Sequence, residues 1–158
     1  MGVPSKEELW NWAKNYDKLW TAGDREGWIA NYRTVVKGDA VRMFDPVATP
    51  EKYGFQHCLV DSYDLFQKNV KFRIPEETLF VLGNTVSWVM NNHITSAGKE
   101  FMEPSIETFI FEPDGSLAIK TWYRIPRHTN DELGDMFKVY LPENDGKTGI
   151  DPKYQRYV

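Results

Sequence analysis

The stretch Val41-Arg42-Met43-Phe44-Asp45-Pro46-Val47-Ala48 is the one around which the rest of the chain arranges itself. It reads as a short apolar-rich strand, residues 40 to 45, ending in a carboxylate, because the following proline has no N–H with which to continue a ladder. A carboxyl group held at a strand end beside Phe44 and Val47 is partly desolvated. Desolvation disfavours the charged form and raises an acid's pKa toward the range useful for a general base. The plainer reading is a strand-terminating aspartate that accepts turn hydrogen bonds. What the chain brings beside Asp45 decides between them.

On the N-terminal side, Ser5-Lys6-Glu7-Glu8 forms a capping box. From it the spacing of Leu9, Trp12, Ala13, Tyr16, Leu19 and Trp20 predicts an amphipathic helix. Gly23 ends that helix, and Asp24 starts a second one carrying Trp28, Ile29 and Tyr32 on one side. Beyond the central stretch, Thr49-Pro50 resembles an N-cap followed by proline at the first helical position. A third helix is expected over roughly 54 to 68, with Leu59, Tyr63 and Phe66 facing inward.

After Asn69 the pattern turns extended. Val70, Phe72 and Ile74 alternate up to Pro75, and Leu79 to Leu82 lead into a Gly83-Asn84 turn. Residues 85 to 95, 100 to 111 and 116 to 125 read as three strands, separated by turn chemistry at Ser96-Ala97-Gly98-Lys99 and Glu112-Pro113-Asp114-Gly115. Helices first and a meander afterwards predict an α+β domain, three N-terminal helices covering one face of a strongly curved antiparallel sheet. It is expected to span residues 1–126. Residues 127–158 read as an irregular tail whose Tyr140, Tyr154 and Tyr157 suit a place on its own surface or a partner's.

Composition bounds the function. The chain has 158 residues, one domain's worth, with 15% aromatics that include six Trp and eight Tyr, which favours a ring-lined core or pocket. A formal charge of −4 argues against nucleic acid, whose phosphates demand clustered Lys and Arg. The single cysteine, Cys58, gives no intrachain disulfide and reads as a small core residue. His57, His93 and His128 have no metal-ligand spacing, so neither metal nor cofactor is expected. The N-terminus shows no signal-peptide core, and no apolar run approaches the roughly 20 residues of a membrane span. A soluble cytoplasmic protein without membrane or nucleic-acid partners is the expectation.

The order of elements resembles the NTF2-like superfamily, which includes the SnoaL-like proteins and whose fold is a cone, over roughly residues 8 to 125. Within it the local motifs look most like the ketosteroid isomerases. Thr21-Ala22-Gly23-Asp24 resembles their first inter-helix turn, Asp45-Pro46-Val47 their Asp-Pro-Val, and Ile106-Glu107-Thr108-Phe109 their Ile-Asp-His-Phe. The resemblance implies catalytic roles for Tyr16, Asp45 and Glu107: Asp45 the proton-shuttling base, Tyr16 the main donor to an oxyanion, a protonated Glu107 the second. Such chemistry needs a base of modest pKa and donors aimed at the oxygen that gains charge. The implied pocket takes Trp20, Tyr32, Tyr63 and Phe66 from the helices, with Tyr32 and Tyr63 near positions where some members hydrogen-bond the catalytic tyrosine. From the strands it takes Trp88, Met90, Asn92 and Phe109.

Departures from the pattern also matter. Glu107 is one methylene longer than the family's aspartate. On the last strand, alternation groups Lys120, Trp122 and Arg124 on one face, which the resemblance makes pocket-facing. A cation there would keep Glu107 charged and would suit an acidic or phenolic substrate. The alternative is an outward-facing pair of cations on a solvated strand. His57 on the third helix could reach the pocket mouth, where a His–Asp pair would suit a dehydratase. His93 is expected on the outer face.

These features point to a cofactor-independent enzyme doing acid–base chemistry on a small apolar cyclic or aromatic molecule, with an isomerase as the leading form. The alternatives are a lyase or dehydratase on the same scaffold and a non-catalytic ligand-binding module. A homodimer is expected across the convex sheet face, with Val86, Thr108, Ile110 and Ile119 as candidate contacts.

Overall fold

A computed structural model describes residues 2–47, 51–96 and 98–123, with Ser96 described by its backbone alone. The expectations for Thr49-Pro50, Arg124, His128 and the tail 127–158 lie outside the described residues.

Helix α1 (Lys6–Thr21) starts at the capping box: Ser5 Oγ accepts from the Glu8 N–H at 3.2 Å, and the Glu8 carboxylate accepts from the Ser5 N–H at 2.7 Å. Its buried face is Leu9, Trp12, Ala13, Tyr16 and Trp20, one stripe at helical period. Gly23, at φ 75°, takes the left-handed turn that a side chain would resist, and Asp24 caps α2 (Arg25–Val35). Rings then lock the two helices, with Trp12 on Tyr32 (5.4 Å between centroids) and Trp20 edge-on to Trp28 (5.2 Å).

Strand β1 (Val41–Phe44) follows, then β2 (Lys52–Tyr53), which pairs antiparallel to β1 with Met43 opposite Lys52. The expected third helix is present but shorter and composite: a π-helical turn, Gln56–Val60, runs into α3 (Asp61–Phe66). Cys58, Leu59 and Val60 are all buried, three successive residues that exceed a single α-helical stripe; a wider turn accommodates them. Strands β3 (Val70–Arg73), β4 (Phe80–Leu82), β5 (Thr85–Ser96), β6 (Lys99–Phe111) and β7 (Leu117–Tyr123) complete the chain, with a 3₁₀ turn at Glu76–Thr78.

The strand order is β2-β1-β7-β6-β5-β3, with β4 also on β5. The sheet is mixed rather than wholly antiparallel, because β1 runs parallel to β7 from Val41 opposite Leu117 to Phe44 opposite Lys120. A parallel pair needs a long crossover, and the whole of α3 and the intervening strands supplies it.

Register fixes which side chains face the helices. Trp88, Glu107 and Thr121 lie in one row across β5, β6 and β7. Alternation from that row turns Leu117, Ile119 and Thr121 inward, and leaves Lys120 and Trp122 on the outer face. The expected pocket-facing set on this strand is therefore corrected for Lys120 and Trp122: period 2 holds, but its phase is the opposite one. The next row of the same phase, Val86, Phe109 and Ile119, corrects Val86 and Ile119, which are core residues and not part of the convex face. Thr108 and Ile110 do sit outside, Thr108 Oγ1 lying 3.2 Å from Ser87 Oγ, and His93 is exposed there as expected.

Candidate active site

Between the helices and the inner sheet face lies a cavity of about 140 Å³. Asp45 reaches it from the end of β1. Pro46 interrupts the ladder, and the Val47 N–H resumes it by donating to the Thr121 carbonyl at 2.8 Å, which fixes the carboxyl-bearing turn against β7. Tyr16 comes from the buried stripe of α1, Tyr32 from α2, and Glu107 and Phe109 from the inward phase of β6. All three residues expected to be catalytic thus line one space.

Burial sets their electrostatics. Glu107 is 5% exposed, and desolvation holds its carboxyl well above the usual carboxylate range, with the charge of Asp45 pushing further in the same direction. The Trp88 indole N–H opposes this weakly, its geometry short of a formed hydrogen bond. Desolvation also raises Asp45, but here Lys52 and a hydrogen bond from the Tyr123 hydroxyl pull back toward the ionised form. Desolvation pushes Tyr16 and Tyr32 well above a normal phenol, so both keep their protons. Tyr32 Oη donates to Tyr16 Oη at 3.4 Å, which leaves the Tyr16 proton free to point at a ligand. Burial likewise pushes the Cys58 thiol up to about 11, so it lines the cavity as an inert neutral group.

The remaining expected contacts divide. Trp20, Tyr32, Phe66, Asn92 and Phe109 line the cavity, Phe66 half-exposed. Asn92 is held there by donating through Nδ2 to the Glu103 carbonyl (2.9 Å) and Ser105 Oγ (3.0 Å). Tyr63, Trp88 and Met90 are corrected: they are buried but lie behind the wall. Tyr63 packs on Trp20 and Trp28, and its hydroxyl has no hydrogen bond to Tyr16. Trp88 backs Tyr16 and Phe109 at 4.9 and 4.6 Å. His57 does not line the cavity, because it turns to solvent with Nδ1 3.6 Å from Asp61.

Sequence reasoning missed Lys52, Trp28, Phe72, Thr121 and Tyr123. Trp28 stands one helical turn before Tyr32, so its face was available from the period. Thr121 and Tyr123 carry the correct phase of β7. Lys52 sits on a two-residue strand with no pattern of its own.

Among the described residues no group of His, Cys, Asp and Glu could hold a metal ion, and no helix is long and apolar enough to cross a membrane. The sequence has no significant match among protein-family models or among curated proteins. Solved structures do match by shape. The epoxide hydrolase/cyclase-like enzyme SalBIII, described as acting in pyran ring formation in the polyether salinomycin, aligns with a TM-score of 0.59 at 12% identity, over 76% of this chain and 93% of its own. A protein assigned to the SnoaL-like polyketide cyclases from Jannaschia sp. CCS1 also gives 0.59, at 14% identity, over 78% and 88%. Rv0760c from Mycobacterium tuberculosis gives 0.57, at 14% identity, over 77% and 94%. With three helices packed on a curved mixed sheet, the chain shares the fold of these SnoaL-like and cyclase-like structures.

Proposed function

We propose that the protein is a cofactor-independent enzyme that moves a proton beside a carbonyl group in a small cyclic or aromatic molecule, in the manner of a ketosteroid isomerase. In this reading the helices and sheet form the cone of the superfamily, and its interior is the site. One observation carries the reading: two carboxyl groups line the same cavity in unlike surroundings. Burial raises both, but Lys52 and Tyr123 pull Asp45 back toward its charge, whereas the neighbouring Asp45 adds to burial at Glu107 and lifts it further. Two acids driven apart in this way divide the labour, one ionised as base and one protonated as donor. Glu107 beside the Tyr16 hydroxyl then offers donors to an oxygen that becomes an enolate. An outward Lys120 takes one of the two cations expected near Glu107 away from it, which weighs against a plain binding module, while Arg124 lies outside the described residues.

The cavity also bounds the substrate. A space of about 140 Å³ matches one benzene-sized ring, for which about 150 Å³ suffices, and is too small to enclose a steroid. A second reading, dehydration or ring closure, draws on the same acid and base: the acid protonates a leaving oxygen while the base takes a proton elsewhere. The cyclase names among the neighbours favour it only by analogy of fold.

Phenol binding tests the proposal, because bound phenolate mimics the enolate. Asp45→Asn removes a repulsive charge and is expected to tighten phenol about tenfold at neutral pH, while Tyr16→Phe weakens it by a similar factor. Affinity indifferent to both changes would sink the mechanism.

We further propose that a second copy of the chain covers the outer sheet face, where Ile106 and Trp122 stand opposite each other and half-exposed.

A further inference from the structure

Lys52 is the one cation among the described residues that line the cavity. It enters from β2, opposite Met43, which lines the cavity too. Its Nζ donates to the main-chain carbonyl of Asp45 at 3.3 Å. That contact uses one of an ammonium's three N–H donors. No ion pair among the described residues joins it to a carboxylate. Its charge favours the ionised Asp45 carboxyl without closing an ion pair with it, so a ligand's anionic group can still reach the ammonium. The cavity also offers the neutral donors of Tyr16 and a protonated Glu107, which suit an uncharged oxygen.

We propose that the cavity takes a single ring bearing a carboxylate, and that Lys52 binds the carboxylate while the ring lies against the aromatic wall. This inference rests on the reading above that the cavity is the substrate site. It adds the substrate's charge and its orientation: carboxylate toward Lys52, and the ring's reacting oxygen toward Tyr16 and Glu107. It also replaces the cationic strand expected at Lys120 with a different cation on a different element.

The probes are benzoate and its neutral near-isostere benzamide, titrated into the full-length protein at pH 7 and followed by tryptophan fluorescence, since Trp20 and Trp28 line the cavity. Benzoate is expected to bind at least tenfold more tightly than benzamide. Lys52→Met is expected to abolish that preference through loss of benzoate affinity, with benzamide changed by less than twofold, and Lys52→Arg to retain most of it. Removing Lys52 also makes Asp45 easier to protonate and less repulsive, so any loss of benzoate binding is seen against that trend. Equal binding of the two rings by wild type, a preference that survives Lys52→Met, or binding of neither ring would overturn the proposal. The wild-type comparison holds even where the methionine variant folds poorly. The phenol titration separates the two ideas: phenol unmoved by Asp45→Asn and Tyr16→Phe sinks the acid–base mechanism while a Lys52-dependent benzoate preference stands, and the converse sinks only the carboxylate.

Discussion

Glu107 is a carboxyl group that the fold holds away from its ordinary charge state, and stability registers the cost. Its folded pKa is raised well above 4.5, so the folded chain holds a proton that the unfolded chain has already released. Stability from this group is therefore full below about pH 4.5 and is lost as pH rises toward the folded value, by up to about 1.4 kcal/mol per pH unit. Glu107→Gln keeps the shape and removes the titration. In urea melts, its stability relative to wild type is expected to rise steadily from pH 5 to pH 8, and parallel profiles would show that Glu107 titrates normally. At this scale the sequence was legible where a motif marked a residue: Tyr16, Asp45, Pro46 and Glu107 do meet in one cavity. It was silent on Lys52, whose position depends on pairing with Met43, and no local pattern encodes that pairing. It misplaced Tyr63 and Met90 because an inward-facing residue can line a cavity or stand one layer behind it, and periodicity does not separate the two.

Helix α1 shows how an element holds the site wall. Its C-terminal turn satisfies the edge of the sheet, where β3 would otherwise leave polar groups unpaired. Trp20 Nε1 donates to the Val70 carbonyl at 2.8 Å, Thr21 Oγ1 both donates to the Phe72 carbonyl (2.9 Å) and accepts from its N–H (3.0 Å), and Asp17 accepts from the Ile74 N–H at 2.9 Å. The Trp20 ring stacks on Phe72 at 4.3 Å, so the same side chain is also cavity wall. Trp20→Phe leaves a buried carbonyl without its donor and opens space beside it. A loss of about 2 kcal/mol is expected by chemical denaturation, most of it the penalty on the orphaned acceptor. A loss under about 0.5 kcal/mol would mean that the bond does not anchor the helix. Elements announced by caps and period were readable, as Ser5, Gly23 and Asp24 show. The phase of β7 was not, because both of its faces carry bulky residues, Ile119 and Tyr123 on one and Lys120 and Trp122 on the other, and only the pairing of Thr121 with Glu107 chooses between them.

At the scale of the molecule, the sheet has a well-packed inner face and an outer face that carries an exposed apolar patch among polar residues. Local pattern did not foretell the parallel pairing of β1 with β7, and it read part of the outer face, Thr108, Ile110 and His93, while turning Trp122 inward, since pairing and phase depend on contacts far apart in the chain. Ile106 is 50% and Trp122 41% exposed, directly opposite each other in register, and Met102 lies on the same face of β6 at 45%. Two sheets pack face to face when their side chains interdigitate, and a two-fold axis through such a patch brings each residue near its own copy. A stable pair needs roughly 800 Å² from each partner, which this sheet face can supply only if the central Ile106–Trp122 pair is buried. A charge placed there meets the same charge on the other copy without water to screen it, so one substitution acts twice. Wild-type protein is accordingly expected to sediment as a dimer at about 50 μM, and Ile106→Glu as a folded monomer with unchanged circular dichroism, because an exposed outer-face position carries little of the monomer's own core. A wild-type monomer, or a dimer untouched by Ile106→Glu, would leave that face to some other partner.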